Sequence, residues 1–271
     1  MPAKRQGFRE QTIVEDATPN GRGLSADSVT SGTAHSTLST GWEPHALLQK
    51  FSAVLFDCDG VLVDSELITN SVLRGILQEN GWDISMEDSI KIFIGKALKD
   101  QWEPIYQHTG VRIDDTWIAG FRARRDEALR TQLRAVEGST QAVAEVASAY
   151  GSKIACVTGA DRAKVEMQLA LTGLDKYFGD RVFSGLEFPR SKPAPDVYLA
   201  AAEALGIDPR GALVIEDTVT GVTAGVGAGA TVYGYSSGGP TSTDPGALLQ
   251  AGASTIFTHM DQLADLAIEA K

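Results

Sequence analysis

The chain has 271 residues, 43% of them hydrophobic, which suffices to bury one core and to accommodate a second domain inserted into the first. A formal net charge of −11 speaks against a nucleic-acid binder, which would present a basic face, and no apolar run approaches the length of a membrane span. Two cysteines, Cys58 and Cys156, both in apolar runs, argue for buried thiols in a reducing compartment rather than a disulfide framework.

Residues 1–50 are rich in Ser, Thr, Gly and mixed charge without a sustained apolar period, so they cannot bury enough surface to offset their ordering entropy. A disordered or loosely docked tail is expected there. Trp42-Glu43-Pro44-His45-Ala46-Leu47-Leu48 is a patch able to dock on the body, and His35 and His45 are expected in solvent rather than on a metal. Met1-Pro2-Ala3-Lys4-Arg5 is not followed by an apolar core, so it does not read as a secretory signal, and the cytoplasm is the expected location.

The run Ser52-Ala53-Val54-Leu55-Phe56 has the continuous apolar character of a strand buried on both faces of a parallel sheet, and it ends in Asp57-Cys58-Asp59-Gly60. Residues i and i+2 of an extended segment point the same way, so Asp57 and Asp59 are placed to reach one reaction centre at the carboxyl edge of a sheet. Two carboxylates this close call for a divalent cation or a shared proton. A carboxylate held by a hard cation can attack phosphorus, while its neighbour protonates a leaving oxygen and deprotonates water. The plainer alternative is a strand end whose acids cap the next helix.

Helical spacing follows: Leu67, Ile68, Val72, Leu73, Ile76 and Leu77 at three- and four-residue intervals up to Asn80-Gly81, then Met86 to Phe93, Leu98 to His108 and Asp115 to about Leu133. With no strand-like run among them, residues 67–136 are expected as a helical cap domain between the first strand and the rest of the sheet. Trp82, Trp102 and Trp117 are assigned to its core. Arg122, Arg124 and Arg125, beside Asp126 and Glu127, read as a solvated helix face. Beyond Gly138, helices (Thr140 to Tyr150, Asp161 to Leu171, Pro195 to Leu205, Gly221 to Ala228) alternate with strands (Lys153 to Val157, Arg181 to Ser184, Ala212 to Ile215, Thr231 to Tyr235). A helix, the strand Ser254 to Phe257 and a closing helix complete the chain. This alternation predicts an α/β fold, a doubly wound parallel sheet with right-handed crossovers, built from residues 51–66 and 137–271.

The later strands also end in residues suited to phosphate chemistry. Thr158-Gly159-Ala160-Asp161 offers a hydroxyl and free N–H groups before a helix, although Thr and Asp are ordinary caps. Ser191-Lys192-Pro193-Ala194-Pro195-Asp196 sets a lysine in a stiff turn, where it either balances the carboxylates and a transferring phosphoryl group or is merely a loop lysine. Ala212-Leu213-Val214-Ile215 ends in Glu216-Asp217-Thr218. With Asp57, these acids offer oxygen ligands to a hard cation, magnesium rather than zinc, since no His or Cys cluster accompanies them.

Asp57-Cys58-Asp59-Gly60-Val61-Leu62-Val63-Asp64-Ser65-Glu66, Thr158, Lys192-Pro193-Ala194-Pro195-Asp196 and Glu216-Asp217 resemble the four sequential motifs of the haloacid dehalogenase superfamily. The branch is that of phosphatases and phosphomutases with a helical cap inserted after the first motif, on a Rossmann-like core, and the match runs from Phe51 to the C-terminus. The resemblance implies Asp57 as nucleophile and metal ligand, Asp59 as acid/base with its backbone carbonyl on Mg2+, Thr158 and Lys192 on the phosphoryl group, and Glu216 and Asp217 on the metal. It further implies substrate contacts from Gly60, Glu66, Gly159 and Lys96. Dehalogenases of the superfamily lack an acid at the position of Asp59, and many relatives carry Ser or Asn where Gly159 stands. Lys96 lies in a segment, Ile94-Gly95-Lys96-Ala97-Leu98-Lys99, that resembles the cap loop meeting the leaving group; Lys99 is expected in solvent. β-Phosphoglucomutases usually place an arginine where this chain has Leu98.

The expectation is a magnesium-dependent phosphatase of small phosphorylated metabolites, with sugar phosphates, phosphogluconate-like acids or phosphoglycolate foremost, working as a monomer or homodimer without nucleic-acid or membrane partners. A phosphomutase and a non-enzymatic metabolite-binding protein of the same fold are the alternatives.

Overall fold

The computed structural model describes residues 48–96 and 98–269. Most of the expected tail, with His35, His45 and all of the Trp42 patch but Leu48, therefore lies outside the described residues. Leu48–Gln49, counted with that tail on composition, instead form a short strand, β1, which pairs antiparallel with β8, Ile268–Glu269. The expected closing helix, α11, spans Leu263–Ala267 and gives way to β8.

Six parallel strands form the main sheet: β2 (Ala53–Phe56), β3 (Ile154–Thr158), β4 (Val182–Ser184), β5 (Ala212–Glu216), β6 (Thr231–Tyr235) and β7 (Thr255–Phe257). Their spatial order is β4-β3-β2-β5-β6-β7. The chain thus leaves β2 toward one edge and returns at β5 on the other side. This reversal is where open α/β sheets leave a crevice outside the strand ends. Every residue of β2, β3 and β5 is buried, as the continuous apolar runs demand. Alternation distributes the side chains: Val54, Phe56, Leu213 and Ile215 pack on one face, Ala53, Leu55, Ala212 and Val214 on the other. Cys58 and Cys156 are buried and free.

The helices of the core are α5 (Ser139–Tyr150), α6 (Arg162–Thr172), the short α7 (Asp175–Phe178), α8 (Asp196–Ala204), α9 (Val219–Gly227) and α10 (Pro245–Ala251). Alternation of strand and helix gave no signal for α7. Between β2 and α5 lie α1 (Glu66–Glu79), α2 (Met86–Phe93), a 3-10 turn at Leu98–Gln101, α3 (Trp102–Thr109) and α4 (Asp115–Gln132). Their apolar faces meet in a separate small cluster of Leu73, Ile76, Leu77, Ile84, Phe93, Ile105 and Phe121. Trp82 and Trp117 pack against it, but Trp102 is 55% exposed. A tryptophan opening a short helix has only one neighbouring turn to cover it. The arginine row of α4 is also not uniformly solvated. Arg125 is buried, because it turns inward to Asp126 and Asp161.

Caps place the strand-end residues. Asp161 accepts the Lys164 N–H at the start of α6, and Thr218 accepts the Gly221 N–H at the start of α9. No described helix is long and apolar enough to cross a membrane.

Candidate active site

Asp57, immediately after β2, has its Oδ1 2.7 Å from the Lys192 Nζ. The same ammonium donates to Glu216 Oε1 at 2.6 Å and to the Val157 carbonyl at 3.0 Å, and it lies 4.9 Å from the centre of the Tyr198 ring. Lys192 therefore ties β2, β3, β5 and α8 together at one point. Glu216 is fully enclosed. Its Oε1 also accepts the Tyr198 hydroxyl, while Oε2 accepts the N–H groups of Asp217 and Thr218 and the Thr218 hydroxyl.

Asp217 is different: its Oδ1 is buried with no hydrogen-bond partner. Buried polar atoms are normally satisfied, so an unpaired carboxylate oxygen marks a missing positive partner. Asp57, Glu216 and Asp217 each offer an oxygen, all lying within 4.8 Å of one another. Three buried carboxylates around a single ammonium leave an excess negative charge that a hard divalent ion matches, and an all-oxygen donor set suits such an ion. The cluster can hold a metal ion.

Two glycines let the backbone approach these acids. A Cβ on Gly60, whose φ is +80°, would overlap the Asp217 carboxylate, and one on Gly221 would overlap that of Glu216. Asp59 lies apart from the cluster. Its Oδ1 accepts from Lys164 Nζ at 2.6 Å, from Gln168 Nε2 at 2.9 Å and from the Ser65 hydroxyl.

The electrostatics follow from burial. Asp57 is pushed up to about 7 by desolvation and then by Glu216, against the pull of Lys192. Desolvation, followed by the charges of Glu66, Glu216 and Asp57, raises Asp217 well above the carboxylate range. Lys192 would be lowered by its burial, but Asp57 and Glu216 outweigh this and hold it firmly charged. Burial alone would raise Asp59, yet the charge and hydrogen bond of Lys164, with those of Ser65 and Gln168, bring it down to about 2. Glu66 rises to about 7, first by burial and then by the nearby Asp59 charge.

A cavity of about 610 Å³ opens between the strand ends and the helical segment, lined by Asp57, Asp59, Thr158, Gly159 and Lys192 on one side and by Lys96 and Arg122 on the other. Glu66 and Glu216 also border it. Thr158 Oγ1 accepts the Ala160 N–H at 3.0 Å and donates to no group among the described residues, leaving its proton for an anion. Gly60 and Asp217 line an adjoining cavity of about 720 Å³, which Glu66 shares. Lys96 is exposed, and its side chain makes no hydrogen bond among the described residues.

Lys164, Gln168, Ser65 and Tyr198 are site residues that sequence reasoning missed. Only one signal was available for the first two: polar residues four apart on a helix, adjacent to its buried Val165 and Leu169. Tyr198 follows the proline-bracketed lysine by six positions and reads as ordinary helix core.

The family model for haloacid dehalogenase-like hydrolase matches residues 51–229. The chain is 29% identical over 220 residues to the 6-phosphogluconate phosphatase of Escherichia coli K12, covering 81% of this chain and 96% of that one. It is 29% identical over 248 residues to the β-phosphoglucomutase of Mycobacterium tuberculosis, covering 80% and 93%. Among solved structures, a HAD family hydrolase from Deinococcus radiodurans R1 with bound phosphate and sodium superimposes with a TM-score of 0.67 at 32% identity, covering 81% and 96%. A family match over most of the chain, on a parallel sheet whose strand ends gather these acids, shows that the protein belongs to the haloacid dehalogenase-like hydrolases.

Proposed function

We propose that the protein is a magnesium-dependent phosphatase of small phosphorylated metabolites that works through an aspartyl-phosphate on Asp57. The observation that carries this is the buried Asp57–Lys192–Glu216 cluster beside the unpaired Asp217 Oδ1, at the mouth of a cavity whose far wall bears cations. Mg2+ held by Asp57, Asp217 and Glu216, with the Asp59 carbonyl, would supply neutralisation of the carboxylates and of the phosphoryl oxygens.

Asp57 attacks phosphorus while Lys192, Thr158 and the Gly159 N–H receive the phosphoryl oxygens. The ester bond breaks, and the leaving oxygen takes a proton from Asp59. Paired with Lys164, Asp59 is a carboxylate; a phosphoryl dianion arriving beside it raises its proton affinity and favours loading that proton. Asp59 then takes a proton from the water that releases orthophosphate.

Residues 67–136 form the cap of this reading over a core of 51–66 and 137–271, and Lys96, Gly60 and Glu66 meet the rest of the substrate. Sugar phosphates, phosphogluconate-like acids and phosphoglycolate are the substrate classes, and the Escherichia coli relative named for 6-phosphogluconate supports the second. The β-phosphoglucomutase relative keeps a mutase in view, and Leu98 at the mutase arginine position speaks against it.

The test is phosphate release from a metabolite panel with Mg2+, wild type beside Asp57→Asn. Turnover is expected to drop about 10⁴-fold or more in the folded variant. Comparable rates remove the nucleophile assignment, and isomerisation of a β-hexose 1-phosphate without orthophosphate release replaces hydrolase with mutase.

A further inference from the structure

All three protein donors to Asp59 converge on one of its two oxygens. Lys164 Nζ, Gln168 Nε2 and the Ser65 hydroxyl meet at Oδ1, and Oδ2 receives no hydrogen bond from the described residues. The three donors are themselves buried, so none can rotate away without leaving a polar group unpaired. The Gln168 amide is fixed in its turn, because its Oε1 accepts the Cys58 thiol at 3.7 Å, which directs Nε2 toward Asp59. The Asp59 side chain nevertheless remains 21% exposed and lines the cavity with Asp57. Its uncommitted oxygen is therefore the one offered to the reaction.

We propose that Lys164 and Gln168 are positioning residues that hold Asp59 with Oδ2 turned to the cavity as the base for the water that hydrolyses the aspartyl-phosphate. The proposal rests on the reading of Asp57 as the phosphorylated residue. In the step concerned, the water oxygen bonds to phosphorus and one water proton passes to Asp59 Oδ2. The bond between phosphorus and the Asp57 oxygen breaks, its electron pair returning to the Asp57 carboxylate, and orthophosphate leaves. A carboxylate pinned through one oxygen has the other preset in direction, so no reorientation is needed when water arrives. Any hydroxyl acceptor of the phosphoryl group must surrender a proton in the same way, so the preset oxygen serves whichever hydroxyl reaches phosphorus, and water is the acceptor tested below.

The experiment uses the full-length, Mg2+-loaded protein with p-nitrophenyl phosphate, whose leaving group departs without a proton and so isolates the second half-reaction. Wild type, Lys164→Met, Gln168→Met and Lys164→Arg are followed through the first turnover and into steady state. In both methionine variants the first-turnover burst of p-nitrophenolate is expected to persist at about one equivalent while steady-state turnover falls about 10²-fold. Phosphoenzyme then accumulates in acid-quenched samples, and KM drops together with kcat. Lys164→Arg, which can still donate to Oδ1, is expected to recover at least tenfold of the loss.

An equal fall in burst rate and steady-state rate, or a slow variant without trapped phosphoenzyme, overturns the proposal. If circular dichroism shows Lys164→Met unfolded, Gln168→Met decides by the same criteria. A wild type that releases no phosphate from any ester sinks the phosphatase reading itself, whereas an active wild type with unaltered partitioning in the variants sinks only the role of Lys164 and Gln168.

Discussion

The strand-end cluster and the helices facing it across the cavity are built in opposite ways. In the cluster, Asp57, Lys192 and Glu216 are buried and joined by bonds of 2.6–2.7 Å, with Tyr198 and backbone groups filling nearly every remaining position. On the helical side, Lys96 is exposed, and Arg122 reaches Asp161 only at 3.7 Å. The apolar cluster behind those helices is small, and their Arg124–Glu79 pair is a surface contact. Rigid, desolvated charges suit a reaction that is the same for every ester, whereas loosely held surface cations suit recognition that varies with the rest of the substrate.

The sharpest way to break this contrast is Lys192→Met. It strips the cation from two buried carboxylates, and removing one partner of such a group costs about 3–5 kcal/mol. Urea melts should show that loss together with at least a thousandfold fall in phosphate release. If stability is unchanged, the cluster is less buried in solution than the structure places it.

Next in size are the glycines. Gly60→Ala and Gly221→Ala push a methyl into the Asp217 and Glu216 carboxylates, costing about 1–3 kcal/mol and most of the activity. The same change at Gly75 on α1, where an added methyl would meet nothing within 4 Å, should stabilise the helix by up to about 1 kcal/mol with activity retained. Equal penalties at the three positions would erase the difference between the regions.

A pH series on the metal-free protein sharpens the electrostatic half of the comparison. Asp57 has its folded value raised from 3.8 to about 7, so its contribution to stability is fully present below about pH 4 and is lost as the pH climbs through 7. The unfolding free energy in chelator should therefore fall between about pH 4 and pH 7, by up to about 1.4 kcal/mol per pH unit for this group, with Glu66 adding a loss of the same sign, and level off above. Added Mg2+ should restore more at pH 8 than at pH 5. Asp59, depressed to about 2, loses its contribution only in acid below about pH 4 and does not interfere in this window. Calorimetry that finds flat stability without metal would remove the inference of excess negative charge.

The smallest effect belongs to Lys96→Ala. It should raise KM for a substrate with a second anionic end by about threefold, equivalent to about 0.6 kcal/mol, and leave kcat and melting temperature in place. A collapse of kcat would make the exposed side part of the chemistry.

Much of the fold was legible because its signals are local. Apolar runs ending in acid identified β2 and β5, and helix–strand alternation gave the doubly wound sheet. The positions of Asp57, Lys192, Glu216 and Asp217 were marked in the same way, each by the few residues around it. What stayed hidden depends on partners far along the chain. Lys164 and Gln168 meet Asp59 across more than a hundred residues, and a lysine on a helix carries no mark of its future ion pair. Arg125 looked like its solvated neighbours until Asp161 drew it inward. The β1–β8 pair joins segments over two hundred residues apart, each too short to show a strand period.

One carboxylate described above has two employers. Asp161 starts α6 through its Oδ1 and, through Oδ2, anchors Arg125 and Arg122 of α4. Ionic strength acts on these two anchors unequally: added salt weakens the half-exposed Arg122 contact long before it reaches the enclosed Arg125. With the outer contact screened, the enclosed Arg125–Asp161 pair still ties α4 to α6, the helix that bears Lys164 and Gln168.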